Sequence, residues 1–167
     1  ERPMSTVARA AYRALAVLFL VGVVAEFFLA GLGVFRTMLA ATPAGSALTT
    51  VAFDAHFHPH LVLGDLLFGV SLLLLVAALL ARLGRPDVLT AGGLFVLLCV
   101  QATFAFTGPA AVRALHPTLA LAVLGAGVGI TLRAFRPAEP SGDRDAVTCD
   151  RRMAAAGRDG APIRDDS

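Results

Sequence analysis

The four histidines of this chain are the residues whose types and spacing could do chemistry. His56, His58 and His60 alternate within one short segment, and His116 follows much later in the chain. Each lies just before or at the start of a long apolar run. If these runs are helices that cross a membrane in alternating directions, His60 and His116 lie near the same membrane face. Two facing imidazoles can then hold a haem iron from both sides.

Small residues follow both of these histidines at helical spacing. Gly64 comes one turn after His60, and Ala120 and Gly127 lie on the stripe below His116. A missing side chain beside an imidazole leaves room for a flat macrocycle, and bundles build cofactor sites from facing helices. We therefore predict a site for haem b with His60 and His116 as axial ligands and Gly64 beside the ring. The alternative is that both histidines are ordinary polar residues at helix starts.

A second hypothesis concerns the segment around the first three histidines. In an extended stretch, alternate side chains project to one side, so Asp54, His56, His58 and His60 would gather. Imidazole and carboxylate ligands suit Zn²⁺ or Cu²⁺, and His116 would complete a tetrahedral set. This pattern predicts an external metal site instead of a haem.

Three polar residues interrupt the apolar runs. Glu26, Asp65 and Gln101 are predicted to be buried, because such groups are costly inside a membrane and tend to face the bundle interior. Glu26 is expected to be protonated or paired with Gln101. Asp54, Asp65 and Gln101 are candidate hydrogen-bond partners for a ligating histidine. The alternative is a hydrogen bond between helices that only fixes their packing.

The apolar runs themselves predict an all-α fold. The chain is 57% hydrophobic with a mean hydropathy of +0.76, and each run approaches or exceeds the length of a membrane span. We expect an integral membrane up-down four-helix bundle in residues 11–136, with helix two beginning near Pro59 after a connector of about two dozen residues on the outer surface. The natural start is expected at Met4. The predicted segments are an N-terminal segment 1–10, helices at about 11–36, 59–83, 88–108 and 114–135, and a disordered tail 137–167.

The arginines indicate an orientation. Six arginines flank one side of the predicted bundle and two flank the other, which places both termini in the cytoplasm and the histidines outside. The absence of lysine is typical of a GC-rich bacterial genome, so the expected location is a bacterial cell membrane. No basic patch with interleaved aromatic residues is present, so nucleic acid is not an expected partner. The six are Arg9, Arg13, Arg82, Arg85, Arg133 and Arg136, and the two are Arg36 and Arg113.

Several segments resemble known membrane families. Tyr12-Arg13, the run from Phe27 to Phe35, His60-x-x-x-Gly64 and Leu115-His116-Pro117 resemble an uncharacterised bacterial four-helix family, over about residues 8–135. More distantly, the pattern resembles one half of the haem A synthase bundle. That resemblance implies that His60 and His116 bind haem.

Two differences between this chain and known haem-binding families restrict what the resemblance implies. Haem A synthases carry a glutamate four residues before the helix-two histidine, and this chain has His56 there, so haem-modifying catalysis is not implied. Cytochrome b561-like proteins share bis-histidine sites between helices but have them at both membrane faces. Here the histidines lie at one face, so electron transfer across the whole membrane is not expected.

These observations predict three possible functions. The first is a b-type haem protein in electron transfer or haem handling, embedded in the lipid bilayer and served by a redox partner or a larger membrane complex. The second is a small accessory subunit without a cofactor, and the third is the external metal site. No serine or cysteine has a neighbouring base in the sequence, so the chain is not expected to be an enzyme by itself.

Overall fold

The computed structural model describes residues 3–40, 50–107 and 109–137. The described chain is helical, as predicted, and no strand occurs in these ranges. Residue contacts divide the chain into two units, Glu1–Phe135 and Arg136–Ser167, and all of the helices belong to the first. Most of the predicted tail, residues 138–167, lies outside the described residues. The helices are α1 (Pro3–Ala40), α2 (Thr50–Leu80), α3 (Arg85–Phe106), the short α4 (Ala110–Arg113) and α5 (Leu115–Ala134).

Four helical segments are long and apolar enough to cross a membrane, with α4 and α5 together forming the fourth. Their outward faces carry large exposed apolar side chains such as Leu18, Phe28, Leu73 and Leu121. In a bilayer these faces contact lipid tails, and all backbone polar groups inside the helices are satisfied within each segment. The chain is thus a multi-pass membrane bundle.

The helices run up and down around a square. α1 packs against α2 and α5, and α3 packs against the same two helices, whereas α2 and α5 make no backbone contact with each other. The latter two therefore lie on a diagonal, as predicted for the helices that carry His60 and His116. The other diagonal is formed by α1 and α3.

One half of the bundle, here called the packed end, contains the buried apolar core. Phe19, Leu74, Leu94 and Ile130 are almost fully buried there, and small alanines of α2 and α3 let the helices approach each other. The opposite half, here called the histidine end, contains none of these fully buried large apolar side chains. A solid core at one end therefore leaves a cavity at the other.

Polar contacts hold the packed end together at its rim. Nε of Arg13 donates to the carbonyl oxygen of Ala134 at 2.9 Å, and Nε of Arg133 donates to Oδ1 of Asp87 at 2.9 Å. These contacts tie α1 to α5 and α5 to the first turn of α3. Of the six arginines predicted to share one side, the five that belong to this unit flank this end; they are Arg9, Arg13, Arg82, Arg85 and Arg133.

Close contacts at two glycines join α1 to α2. A Cβ atom at Gly22 would lie 2.5 Å from Cδ2 of Leu67, and one at Gly33 would lie 3.0 Å from the ring of Phe57. Glycine at both positions lets the two helices approach closely along most of their length. The interface between α1 and α2 is the most extensive in the bundle.

The predicted start of helix two was wrong. α2 begins at Thr50, so Pro59 lies inside it rather than in its first turn. α1 likewise begins at Pro3 and continues to Ala40, beyond both predicted ends. The predicted connector of about two dozen residues is therefore mostly helix, and only residues 41–49 separate α1 from α2. A proline inside a helix removes one backbone hydrogen bond, and α2 nevertheless continues through Pro59.

Candidate functional site

The structure brings His60 and His116 together across the α2–α5 diagonal. Their ring centroids are 6.3 Å apart and their ring planes are inclined by 88°. A metal bonded to one nitrogen of each ring at about 2.0 Å, with that nitrogen about 1 Å from its ring centroid, holds the centroids about 6 Å apart. The observed spacing matches two ligands of one metal, and perpendicular planes are allowed because each ligand can rotate about its own metal–nitrogen bond.

The ring of His116 is oriented by the backbone of α3. Its Nδ1 lies 3.1 Å from the carbonyl oxygen of Gln101. A carbonyl only accepts hydrogen bonds, so Nδ1 must be the protonated ring nitrogen. Nε2 is then left with a free lone pair, which is the state that binds a metal. Metal-ligating histidines commonly donate their other N–H to such an acceptor.

The ring of His60 has a carboxylate as its neighbour. Its Nδ1 lies 3.1 Å from Oε1 of Glu26 on α1, which is an ion-pair distance. The alignment falls short of a hydrogen bond, since Nδ1 is also among the buried polar atoms that lack a hydrogen-bond partner within the described residues. We treat the two side chains as a pair because a small rotation of the His60 ring would align Nδ1 with Oε1 at this distance. The predicted pairing of Glu26 with Gln101 is therefore replaced by a pairing with His60.

Two more buried polar atoms border the same cavity. Oε2 of Glu26 and Oε1 of Gln101 have no hydrogen-bond partner in the part of the chain that the structure describes. Buried polar groups are nearly always satisfied, so a cluster of unsatisfied ones marks a place where a structure departs from plain packing. Here the unsatisfied atoms lie beside the two histidines, on helices α1, α2 and α3.

A cavity of about 530 Å³ lies between the four helices at the histidine end. This volume is within the range of about 300–1,000 Å³ that is typical of small-molecule and cofactor sites. α2 and α5 contribute the histidines, while small residues contribute to the walls on α1 and α3. These are Ala30 and Gly31 on α1 and Ala102 and Ala105 on α3.

The arrangement of the walls suits a flat ligand. A macrocycle in this cavity would be held by His60 and His116, and residues of the other diagonal, α1 and α3, would border its edges. The small residues on those helices leave room for the edges. A Cβ atom added at Gly31 would meet nothing within 4 Å.

Gly64 lines the cavity, as predicted, but it borders the carboxylate rather than empty space. A Cβ atom there would lie 3.0 Å from Oε1 of Glu26. The glycine therefore leaves room for Glu26 to reach His60. The space left by the missing side chain was predicted to admit a macrocycle, whereas in the structure it admits the carboxylate of Glu26.

The other predicted polar partners take different places. Asp65 borders the cavity but is exposed, so its prediction as a buried residue was wrong. Asp54 is also exposed, and among the described residues it makes no hydrogen bond or ion pair with His60 or His116. Glu26 was predicted to face the interior, but its pairing with His60 was not predicted. That pairing depends on the register of α1 against α2, which the contacts at Gly22 and Gly33 set.

The extended segment required by the external metal site does not exist. Asp54, His56, His58 and His60 all lie in α2, where alternate residues point to nearly opposite sides. His58 is exposed, and Nδ1 of His56 lies 3.4 Å from Oγ1 of Thr37 instead. Among the described residues, no group of three or more histidine, cysteine, aspartate or glutamate side chains is placed to hold a metal ion.

No protein-family model matches the chain, and neither a curated protein nor a solved structure is significantly similar to it.

Proposed function

We propose that this membrane bundle is a b-type haem protein whose axial ligands are His60 and His116. One observation carries the proposal: two imidazoles stand 6.3 Å apart on diagonal helices, and each has its Nδ1 at 3.1 Å from an acceptor. That arrangement leaves two Nε2 atoms to bind one iron from opposite sides. When bound, the haem supplies reversible one-electron chemistry.

The chain's own residues fit such a group. The cavity provides small residues in its walls on α1 and α3, and Glu26 and the backbone of Gln101 orient the two ligands. Acceptors of this kind fix the tautomer of a ligating histidine and raise its basicity. An apolar surrounding keeps water away from the metal.

The proposed setting is a bacterial cell membrane with the packed end toward the cytoplasm. Arginine concentrates at that end, and the positive-inside tendency of membrane proteins places it inside. The haem would then lie near the outer face. Because the packed end is a solid apolar core, electrons would enter and leave at the outer face, through a redox partner or a larger membrane complex.

A reduced-minus-oxidised absorption spectrum of the detergent-purified protein, produced with haem supplied, tests the proposal. We expect the sharp, split α and β bands of a six-coordinate b-type haem. His60→Ala and His116→Ala should each remove that six-coordinate signature, whereas His58→Ala, an exposed residue of the same helix as His60, should leave it unchanged. A featureless spectrum at full haem supply would reject the proposal.

A second candidate function is a cofactor-free accessory subunit, and one feature favours it. Gly125 and Gly129 lie four residues apart on α5, and Cβ atoms at both would meet nothing within 4 Å. Small residues four apart on an outward face of a membrane helix are typical of helix association. This face is separate from the cavity, so a haem protein can also use it to join a larger complex.

A further inference from the structure

We propose that the two histidines are not equivalent: His60 is the anchoring ligand that retains the haem, and His116 is the exchangeable ligand, which a small neutral molecule can replace. This inference rests on the proposed haem site. It goes further by assigning a second ligand class, small neutral donors such as carbon monoxide or imidazole, to one side of the metal only.

The backbone around His60 is held by contacts of α2 with α1, although Pro59 beside it removes one helix hydrogen bond. Ten residues of α2 precede it and twenty follow it within the same helix. The close contacts of Phe57 with Gly33 and of Leu67 with Gly22 lie on either side of it along α2. A residue in the middle of a long helix, inside the most extensive interface of the bundle, moves only if that interface opens.

The backbone around His116 lies in the second turn of the span Ala110–Ala134, beside a break between two helices. It is the second residue of α5, directly after the interruption at Ala114 that separates the four-residue α4 from α5. Its neighbours Leu115 and Pro117 are both exposed. Helix termini open at much lower free energy than helix interiors, so the first turn of α5 can move while the rest of the bundle stays intact.

The acceptors beside the two imidazole rings also favour His60 as the stronger ligand. Nδ1 of His60 lies at 3.1 Å from a carboxylate, whereas Nδ1 of His116 lies at 3.1 Å from a neutral backbone carbonyl. A hydrogen bond between His60 and Glu26 requires a small rotation of the His60 ring, and with an ionised carboxylate such a bond is roughly twice as strong as one to a neutral carbonyl. A carboxylate also raises the basicity of a ligating imidazole, and losing such a partner typically weakens metal binding by about 10–100-fold. His60 is thus both better positioned and the stronger donor.

Movement of His116 away from the metal would leave the haem bound through His60. The vacated side faces the cavity, whose walls there include Ala120 and Val123 on α5. This surrounding is apolar and has room for a small neutral molecule but offers little to an anion. In such an exchange His60 would keep the group in the cavity, His116 would give up its place to the incoming molecule, and no electron would be transferred.

The experiment uses the full chain in detergent, loaded with haemin, reduced with dithionite and exposed to carbon monoxide. Three proteins are compared: the wild type, His60→Ala and His116→Ala. We expect His116→Ala to retain haem, to become five-coordinate, to bind carbon monoxide immediately and to return to a six-coordinate spectrum with added imidazole. We expect His60→Ala to bind haemin at least roughly tenfold more weakly, without rescue by imidazole.

A second pair of variants keeps the test valid if His60→Ala does not fold. Glu26→Gln removes the carboxylate beside His60, and it should speed haem loss to an excess of apomyoglobin by about 10–100-fold. Asp54→Asn is the matched control, because Asp54 is an exposed carboxylate of α2 that does not border the cavity. It should leave the rate of haem loss unchanged.

The outcomes separate this inference from the proposed function. Equal haem loss in the two histidine variants, or retention in His60→Ala and loss in His116→Ala, would overturn the inequivalence while leaving the haem site in place. Haem loss at the wild-type rate in Glu26→Gln, as in Asp54→Asn, would also overturn the inequivalence. A wild-type protein that binds no haemin at all would reject both the haem site and this inference.

Discussion

Replacing Gly31 by leucine fills part of the cavity without touching either histidine. A Cβ atom at this position meets nothing within 4 Å, so the helix accepts the larger residue without a clash. A carbon-sized group takes up roughly the 30 Å³ of a liquid water molecule, so the four added carbons occupy on the order of 100 Å³. That is about a fifth of the 530 Å³ cavity, and Gly31 lies in the wall that would border a macrocycle.

The magnitude of the effect follows from overpacking. Forcing extra methylene groups into an occupied site costs about 1–3 kcal/mol. At about 1.4 kcal/mol per tenfold change, haemin affinity should fall roughly 5- to 150-fold. The matched control is Gly93→Leu on α3, which is exposed, also has open space at its Cβ and does not border the cavity. Both variants gain the same helix propensity, so they differ only in the cavity.

The assay is a haemin titration of the purified proteins in detergent, followed by Soret absorbance, with thermal unfolding of the haem-free proteins as the folding control. We expect weaker binding in Gly31→Leu alone and similar unfolding midpoints in both variants. Wild-type affinity in Gly31→Leu would refute the placement of the macrocycle against α1. A loss of affinity of the same size in Gly93→Leu would refute the explanation by cavity filling.

Three further predictions concern the bundle itself. Gly22→Ala should lower the thermal midpoint in detergent because its Cβ would lie 2.5 Å from Leu67, and it should cost less in a Leu67→Ala background, where the clash is absent; an equal cost in both backgrounds would refute the close-contact explanation. In a cysteine-free background, Arg113→Cys should react with a membrane-impermeant maleimide on intact cells and Arg85→Cys only after lysis, and the reverse pattern would invert the proposed orientation. Gly125→Leu should reduce cross-linked association in membranes while leaving the haem spectrum unchanged, and unaltered association would exclude this face of α5 as a contact surface.

The four membrane helices could be predicted because their signal is local and strong. Long apolar runs are visible without knowledge of packing, and antiparallel order follows from short connections. The diagonal arrangement of α2 and α5 was also predicted, and the contacts confirm it. These features together are sufficient to bring His60 and His116 to one end of the bundle.

The helix ends were predicted less well, for a physical reason. Pro59 signalled a helix start, yet α2 begins at Thr50 because its first turns pack against the end of α1, as the contact of Phe57 with Gly33 indicates. Tertiary contact overrides a local start signal in such cases. The same error produced the extended segment on which the external metal site depended.

The partners of the histidines lay beyond the reach of the sequence. Glu26 reaches His60 only because α1 and α2 pack in one particular register, and His116 is oriented by a backbone carbonyl, which no side-chain pattern reveals. Gln101 was identified as a residue of interest, but its backbone rather than its side chain makes the contact. Side-chain types predict where chemistry can occur, whereas helix register decides which groups meet.

The most direct test of the haem site is a low-temperature electron paramagnetic resonance spectrum of the purified, haemin-loaded ferric protein. The 88° between the rings of His60 and His116 predicts a low-spin signal with the large anisotropy of nearly perpendicular axial imidazoles. His116→Ala should convert that signal to high spin. A wild-type spectrum indistinguishable from that of free haemin in the same detergent would contradict the account.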